Sequence, residues 1–223
     1  MRKIDLHLHS LISKNIGDTI GWISLESTIN KIKNASIECV SFTDHDQFSY
    51  SFFNDLTTMI KNKNLNIIPF PGTEITVSRT NGKRAHVLFI FDNKTPNELL
   101  IKLETIINKN RLLNPSGCKI SKFIEKIQNY NFFIIPHVDK SDSVIFEDVR
   151  EIKNYIYNIE CSKKSSEYKK FLKDSAEMPL NAVKFSDCHS WIDLQFKWTG
   201  CYVEQNINFD TLKTGMKMKG ENT

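Results

Sequence analysis

The chain has 223 residues, 40% of them hydrophobic, and a formal net charge of +4. This length suits one large domain or two small ones, and the apolar fraction is enough for a true core. The mild charge supports no claim on nucleic acid by itself, the lack of a run of about 18 apolar residues argues against a membrane span, and Met1-Arg2-Lys3-Ile4-Asp5 lacks the apolar core of a signal peptide. Five scattered cysteines (Cys39, Cys118, Cys161, Cys188, Cys201) with no C-x-x-C pair predict buried, reduced thiols in a cytoplasmic protein.

Ile4 to His9 reads as a buried strand whose two histidines, His7 and His9, point to one face because side chains alternate. A polar loop from Ser10 to Gly21 follows, then a helix over Leu25–Ala35 from the spacing of Leu25, Ile29 and Ile32. A second strand, Cys39–Thr43, runs into Asp44-His45-Asp46. Residues 48–63 predict a helix with a packing stripe of Phe52, Phe53, Leu56, Met59 and Ile60. Asn66–Phe70 predicts a third strand, broken at Pro69 and Pro71, which delivers Gly72-Thr73-Glu74. Ile75–Val77 then leads to a hairpin turn at Asn81-Gly82 and a return strand over His86–Phe91.

Thr95 reads as the N-cap of a helix with Pro96 at its first position, reaching Lys109. A second helix is expected over Lys119–Asn129, and a strand over Asn131–His137. Helical residues near Glu147–Lys153 precede a strand over Tyr155–Glu160. A charged helix over Ser165–Asp174 precedes a strand over Ala182–Phe185, which ends in Ser186-Asp187-Cys188-His189. Trp198–Glu204 is one more short strand and Phe209–Met216 a last helix. Alternating strands and helices predict an α/β fold with a mainly parallel sheet. Residues 1–205 are expected to form one domain, with 206–223 as a C-terminal helix and tail.

All six histidines, His7, His9, His45, His86, His137 and His189, sit at or beside the edge of a strand-like run. Glu74 and Asp187 lie in turns next to strand ends. Neutral imidazole and carboxylate are the usual ligands of zinc and related ions, and eight such residues where strands end predict a multinuclear metal site.

The order H-x-H, T-D-H, P-G-x-E, H-V-L, P-H and S-D-x-H resembles the PHP (polymerase and histidinol phosphatase) family of metal-dependent phosphoesterases, over residues 4 to about 190. The resemblance implies a distorted seven-stranded (β/α) barrel with two or three divalent metal ions (Zn, Mn or Fe). It puts His7, His9, Glu74 and Asp187 on a first metal and names them the catalytic set. Glu74, His86 and His137 fall on a second metal, and His45 and His189 on a third. The family's further ligand in the loop after H-x-H is replaced here by Ser13-Lys14-Asn15, with Asp18 the nearest carboxylate. His86 opens its apolar run, so a hairpin from Glu74 is needed to bring it to the same end.

Phe185–Ser190, Lys197-Trp198-Thr199 and Phe209–Leu212 are also similar to the PHP region of TrlF-like proteins, which join that domain to an ABC-type ATPase. No P-loop occurs in this chain. The resemblance implies either a separate small subunit with an ATPase partner or part of a longer protein.

The expected reaction is phosphoester hydrolysis by a metal-activated water. The substrate reading is a nuclease acting on DNA or RNA. The alternatives are a small-molecule phosphatase acting on a nucleotide or phosphorylated metabolite, and a non-catalytic metal-binding scaffold. Lys140 and Arg84, with Arg79 and Lys83, are candidate phosphate contacts. Asp44 and Asp46 are candidates to orient an imidazole, and Tyr50 and Trp191 to stack on a base.

Overall fold

The computed structural model describes residues 1–10, 24–162, 165–189 and 200–218. In chain order the elements are β1 (Arg2–Leu8), α1 (Leu25–Asn34), β2 (Ile37–Phe42), α2 (Tyr50–Asn62), β3 (Ile68–Ser78), β4 (Arg84–Phe91), α3 (Asn97–Leu113) and α4 (Ile120–Ile127). There follow β5 (Phe132–Pro136), α5 (Phe146–Val149, continued as a 3-10 turn over Arg150–Tyr155), β6 (Asn158–Glu160), α6 (Ser166–Asp174), β7 (Asn181–Val183), β8 (Cys201–Val203), α7 (Phe209–Gly215) and β9 (Lys217–Met218). The fold is mixed α/β. Ser-Lys-Asn 13–15, Asp18, Trp191 and the 197–199 motif lie outside the described residues.

Seven strands form a curled sheet in the order β5-β4-β3-β2-β1-β8-β9, and β6 pairs with β7 in a second, two-stranded sheet. Isolated parallel bridges link the first sheet to the segments around the second: Ile134 to Ile156 and His137 to Glu160 beside β6, and Leu8 to Cys188 in the segment after β7. The sheet is not mainly parallel. β1–β2, β2–β3 and β6–β7 are parallel, but β4 runs against both β3 and β5. The short turn after Ser78 is the reason, because parallel strands need a long crossover.

The third strand also differs from the sequence expectation, since it runs unbroken through Pro69 and Pro71. β4 pairs with β3 only from Gly72 onward, so both prolines lie where β3 has β2 alone as neighbour. Their missing N–H groups, two residues apart on the same side of the strand, can then be tolerated.

Ser24, Ser49, Ser165 and Asn208 cap α1, α2, α6 and α7, each accepting a backbone N–H of the first turn. Thr95 does not cap α3. Its hydroxyl donates instead to the Asp92 carbonyl, and the first turn closes on the Pro96 carbonyl. All five cysteines are buried free thiols.

Strand alternation builds the floor under one end of the sheet. Cys39, Phe70, Leu88, Ile90, Phe133, Ile135, Val183 and Phe185 form one buried cluster. Fully burying a phenylalanine such as Phe133 contributes roughly 2–3 kcal/mol. α7 joins this cluster through Phe209, Leu212 and Met216, which follows it. A larger cluster packs α3, α4 and α6 on the β3–β5 face, and a third packs α1 and α2 against β2. Among the described residues no helix is long and apolar enough to cross a membrane.

Candidate metal centre

The period of two that makes the apolar floor also makes the polar layer above it. Two residues beyond Ile135 is His137, and two beyond Phe185 is Asp187. Two before Leu88 is His86, because β4 runs the other way. Four beyond Phe70 is Glu74, with Gly72 between. A Cβ at Gly72 would collide with Ser41 Oγ and lie 2.9 Å from Thr43 Cγ2, so only glycine lets β3 pass β2 here. The hairpin register of Thr76 opposite His86 brings both Glu74 and His86 to this end.

All six histidines meet there. Neighbouring ring centroids lie 4.1 to 6.1 Å apart, from His189 over His9 and on through His45, His86, His137 and His7. Glu74 is at the centre. Its Oε2 lies 3.2 Å from His7 Nε2, 3.5 Å from His9 Nε2 and 3.0 Å from His45 Nδ1, while its Oε1 lies 3.0 Å from His86 Nδ1 and 3.6 Å from His137 Nε2. Asp187 Oδ1 lies 3.2 Å from His7 Nε2 and 3.5 Å from His9 Nε2. Asp187, beyond the strand end, has a left-handed backbone (φ 49°), a conformation uncommon outside glycine.

Two carboxylates join the set that the sequence reading passed over. Glu160 Oε2 is 2.9 Å from His7 Nδ1 and 3.1 Å from His137 Nε2. Asp142 Oδ2 is 2.6 Å from His86 Nδ1 and 3.5 Å from His137 Nδ1. Glu160 ends β6 just as His137 follows β5, so the strand-end rule could have found it. Asp142 lies in an irregular loop and leaves no periodic signal.

Four groups bring potential ligand atoms within 4.8 Å of one another: His7, His9 and Asp187; Glu74, His86, His137 and Asp142; His7, His137 and Glu160; and His9, His45 and His189. Every histidine, Glu74 and Asp187 of the sequence set is therefore in one cluster. A further observation fits this donor set to cations. Both ring nitrogens of His137 and Nδ1 of His45 are buried without a hydrogen bond of proper geometry, despite carboxylate oxygens close by. A bound cation would satisfy such nitrogens.

Electrostatics prepares the same ligands. Burial opposes ionisation of Glu74, but His7, His86 and His137 outweigh it and hold the carboxyl well below the usual range. Burial likewise opposes the charge on Glu160 and Asp187, and Lys140 and His7 reverse it in both. Burial lowers His86, yet hydrogen bonds to Asp142 and Glu74 and their charges push it up to about 10. His7 is also raised, against burial, by Glu160, Asp187 and Glu74. His45 goes the other way: burial takes it down to about 4, keeping a neutral imidazole.

Of the other sequence candidates, Lys140 reaches the cluster. Its ammonium donates to Glu160 Oε1 and Asp187 Oδ2, both at 3.0 Å. Arg84 is exposed beside His86, whereas Arg79 turns away to Asp148, at 3.1 Å. Asp44 accepts from the Ser10 amide and hydroxyl at 2.6 Å each, and lies 4.0 Å from His9 Nδ1. Asp46, with φ 49°, spends its carboxylate on the Thr76 amide and hydroxyl, so it pins β3 to the turn and orients no imidazole. Tyr50 packs against the large core cluster.

No protein-family model matches the chain, and no curated protein matches its sequence. Solved structures do. A protein from Bifidobacterium adolescentis described as a metal-dependent phosphoesterase superposes with a TM-score of 0.59 at 13% identity, over 95% of this chain and 94% of that one. PsfC from Pseudomonas syringae superposes with a TM-score of 0.52 at 15% identity, over 99% of this chain and 93% of that one. At these identities the likeness is one of fold, and it extends across nearly the whole of both chains.

Proposed function

We propose that the chain is a metal-dependent phosphoester hydrolase of the PHP type that cleaves nucleic-acid phosphodiesters. The observation that carries this reading is the convergence of six imidazoles and four carboxylates above one apolar floor. The bridges that join the β5 and β6 segments, and β1 to Cys188 in the segment after β7, support a distorted seven-stranded barrel of that type. The described metal-dependent phosphoesterase with this fold lends further support. The motif at Phe185–Ser190 adds an ATPase partner to the reading.

His7, His9 and Asp187 would hold one divalent ion, and Glu74, His86, His137 and Asp142 another, with Glu160, His45 and His189 completing the set. When bound, such ions lower the pKa of water and neutralise phosphate oxygens. Glu74 faces both groups, with Oε2 toward His7 and Oε1 toward His86, and would contribute a carboxylate to either ion. Asp187 is the most solvent-accessible of the acids Glu74, Glu160 and Asp187, with 35% of its side chain exposed against 1% for each of the others. In this reading it would accept a hydrogen bond from the attacking water. Lys140, held between Glu160 and Asp187, balances carboxylate charge and in this reading would donate to a phosphate oxygen.

The test is cleavage of single- and double-stranded DNA and RNA with added Mn²⁺, in wild type, His7→Ala/His9→Ala and Glu74→Ala, with mononucleotides alongside. Polymer cleavage lost in both variants supports the nuclease. Turnover of mononucleotides alone moves the assignment to a small-molecule phosphatase. Stoichiometric metal binding with no turnover of any phosphoester leaves a scaffold.

A further inference from the structure

On the side of His45 and His86 a cleft of about 410 Å³ opens to solvent, and Arg84, Arg111, Leu112 and Pro115 also line it. Arg84 starts β4 two residues before His86, and Arg111 lies in the last turn of α3. The chain has five arginines. Arg2, Arg79 and Arg150 each face a carboxylate within 4.0 Å. Among the described residues the two on the cleft do not. The one acid that lines the cleft, Asp46, already accepts two hydrogen bonds from Thr76. Leu112 is 80% exposed, the most exposed large apolar side chain among the described residues.

Two arginines that line one cleft and face no carboxylate among the described residues are suited to phosphate, since each guanidinium presents a planar set of donors. The C-terminal end of a helix such as α3 would by itself repel an anion, so the attraction has to come from the guanidiniums. An exposed leucine and a proline beside them offer an apolar face to a flat ring. We propose that this cleft binds a second phosphate of the substrate, clamped by Arg84 and Arg111, with the attached base over Leu112 and Pro115. The inference rests on the phosphoester-hydrolase reading for the first phosphate, at the histidine cluster next door. It makes Arg84 and Arg111 specificity-determining residues that select substrates with two phosphates over those with one.

The experiment is calorimetric binding to the full chain loaded with Mn²⁺. The probes are thymidine 5′-monophosphate, thymidine 3′,5′-bisphosphate and a phosphorothioate oligothymidylate of eight residues, which resists hydrolysis. The proteins are wild type, Arg84→Gln, Arg111→Gln and, as a charge control outside the cleft, Lys102→Gln. Wild type and the control should favour the two-phosphate ligands over the monophosphate by tenfold or more. Each arginine variant should lose roughly tenfold of that preference, as expected for one charge-assisted contact. Loss for both the bisphosphate and the oligomer supports the clamp acting on the second phosphate itself. Loss for the oligomer alone supports it acting on a strand. The proposal is overturned by equal affinity of wild type for one and two phosphates, or by arginine variants that match the control. Turnover is scored separately: a preserved binding preference without hydrolysis would remove the hydrolase reading and keep the cleft, and hydrolysis without the preference would do the reverse.

Discussion

Glu160→Gln tests the metal centre at the residue that the sequence reading missed. The carboxylate is 1% exposed and faces three cationic or potentially cationic groups, His7 at 2.9 Å, Lys140 at 3.0 Å and His137 at 3.1 Å. An amide keeps the shape and removes the charge. Removing one partner from a buried ionic cluster costs about 3–5 kcal/mol. For a chain of this size, where 1 kcal/mol moves the melting temperature by roughly 2–4 °C, the metal-free variant should melt about 6–20 °C lower. Loss of a group beside a metal ligand weakens metal binding by roughly 10–100-fold, and loss of a direct ligand by more. The assay is thermal unfolding with and without chelator, together with competition for Zn²⁺ or Mn²⁺ against a fluorescent indicator. A variant with unchanged melting in chelator and metal affinity within twofold of wild type would refute the placement of Glu160 in the centre.

Metal affinity should rise with pH toward about 10, because His7 and His86 are raised and carry protons that a cation must displace. Calorimetry in two buffers of different ionisation heat should therefore show proton release, and its absence would contradict protonated imidazoles at His7 and His86. The metal-free protein should also lose stability as pH rises from about 6.5 toward 10. His86 is raised from about 6.5 in the unfolded chain, and its contribution fades through its folded pKa. His45, lowered to about 4, acts oppositely below pH 6.5, where stability falls with falling pH; both arms are read from melting curves in chelator. Phe133→Ala should cost roughly 3–5 kcal/mol in urea unfolding, as a fully buried ring in the floor under the site; a loss under 1 kcal/mol would mean that the floor can collapse around it. Gly72→Ala should cost roughly 1–3 kcal/mol through overpacking against Ser41 and Thr43, and should also weaken metal binding by shifting Glu74 two residues along. Unchanged metal affinity in that variant would show that β3 absorbs the strain elsewhere.

Much of the site is legible in the sequence because one rule places it. Ligand residues stand where an apolar, period-two run stops, and His9, His45, His137 and Asp187 all follow that rule. His86 is legible only through the turn signal at Asn81-Gly82, which reverses the strand and converts an opening histidine into one at the correct end. Glu160 obeys the same strand-end rule but has no histidine beside it in sequence, and its partners, His7 and His137, come from distant strands. Asp142 is set by a loop, whose path depends on tertiary contacts and not on periodicity. The prolines of β3 mislead for a related reason. Whether a missing N–H matters depends on which neighbour lies alongside, and local sequence does not say that β4 begins to pair only at Gly72. The extent of antiparallel pairing is hidden in the same way, since strand patterns look alike in both directions.

The β3–β4 hairpin has a consequence for how the rim of this molecule can vary. Seven consecutive residue pairs, from Gly72–Ile90 to Ser78–Arg84, fix the ladder before the turn begins. A slip of one residue would turn His86 outward, so the pairs resist it. Beyond them the tip, 79–83, is closed by a bond from the Arg79 amide to the Lys83 carbonyl. Extra residues at that tip would add little loop-closure cost, about 0.6 kcal/mol per doubling of length, and would leave the ladder untouched. Glu74 and His86 are thereby insulated from changes in the loop that joins them. This edge of the mouth can therefore be lengthened or restyled, changing what enters, while the residues beneath it stay in register.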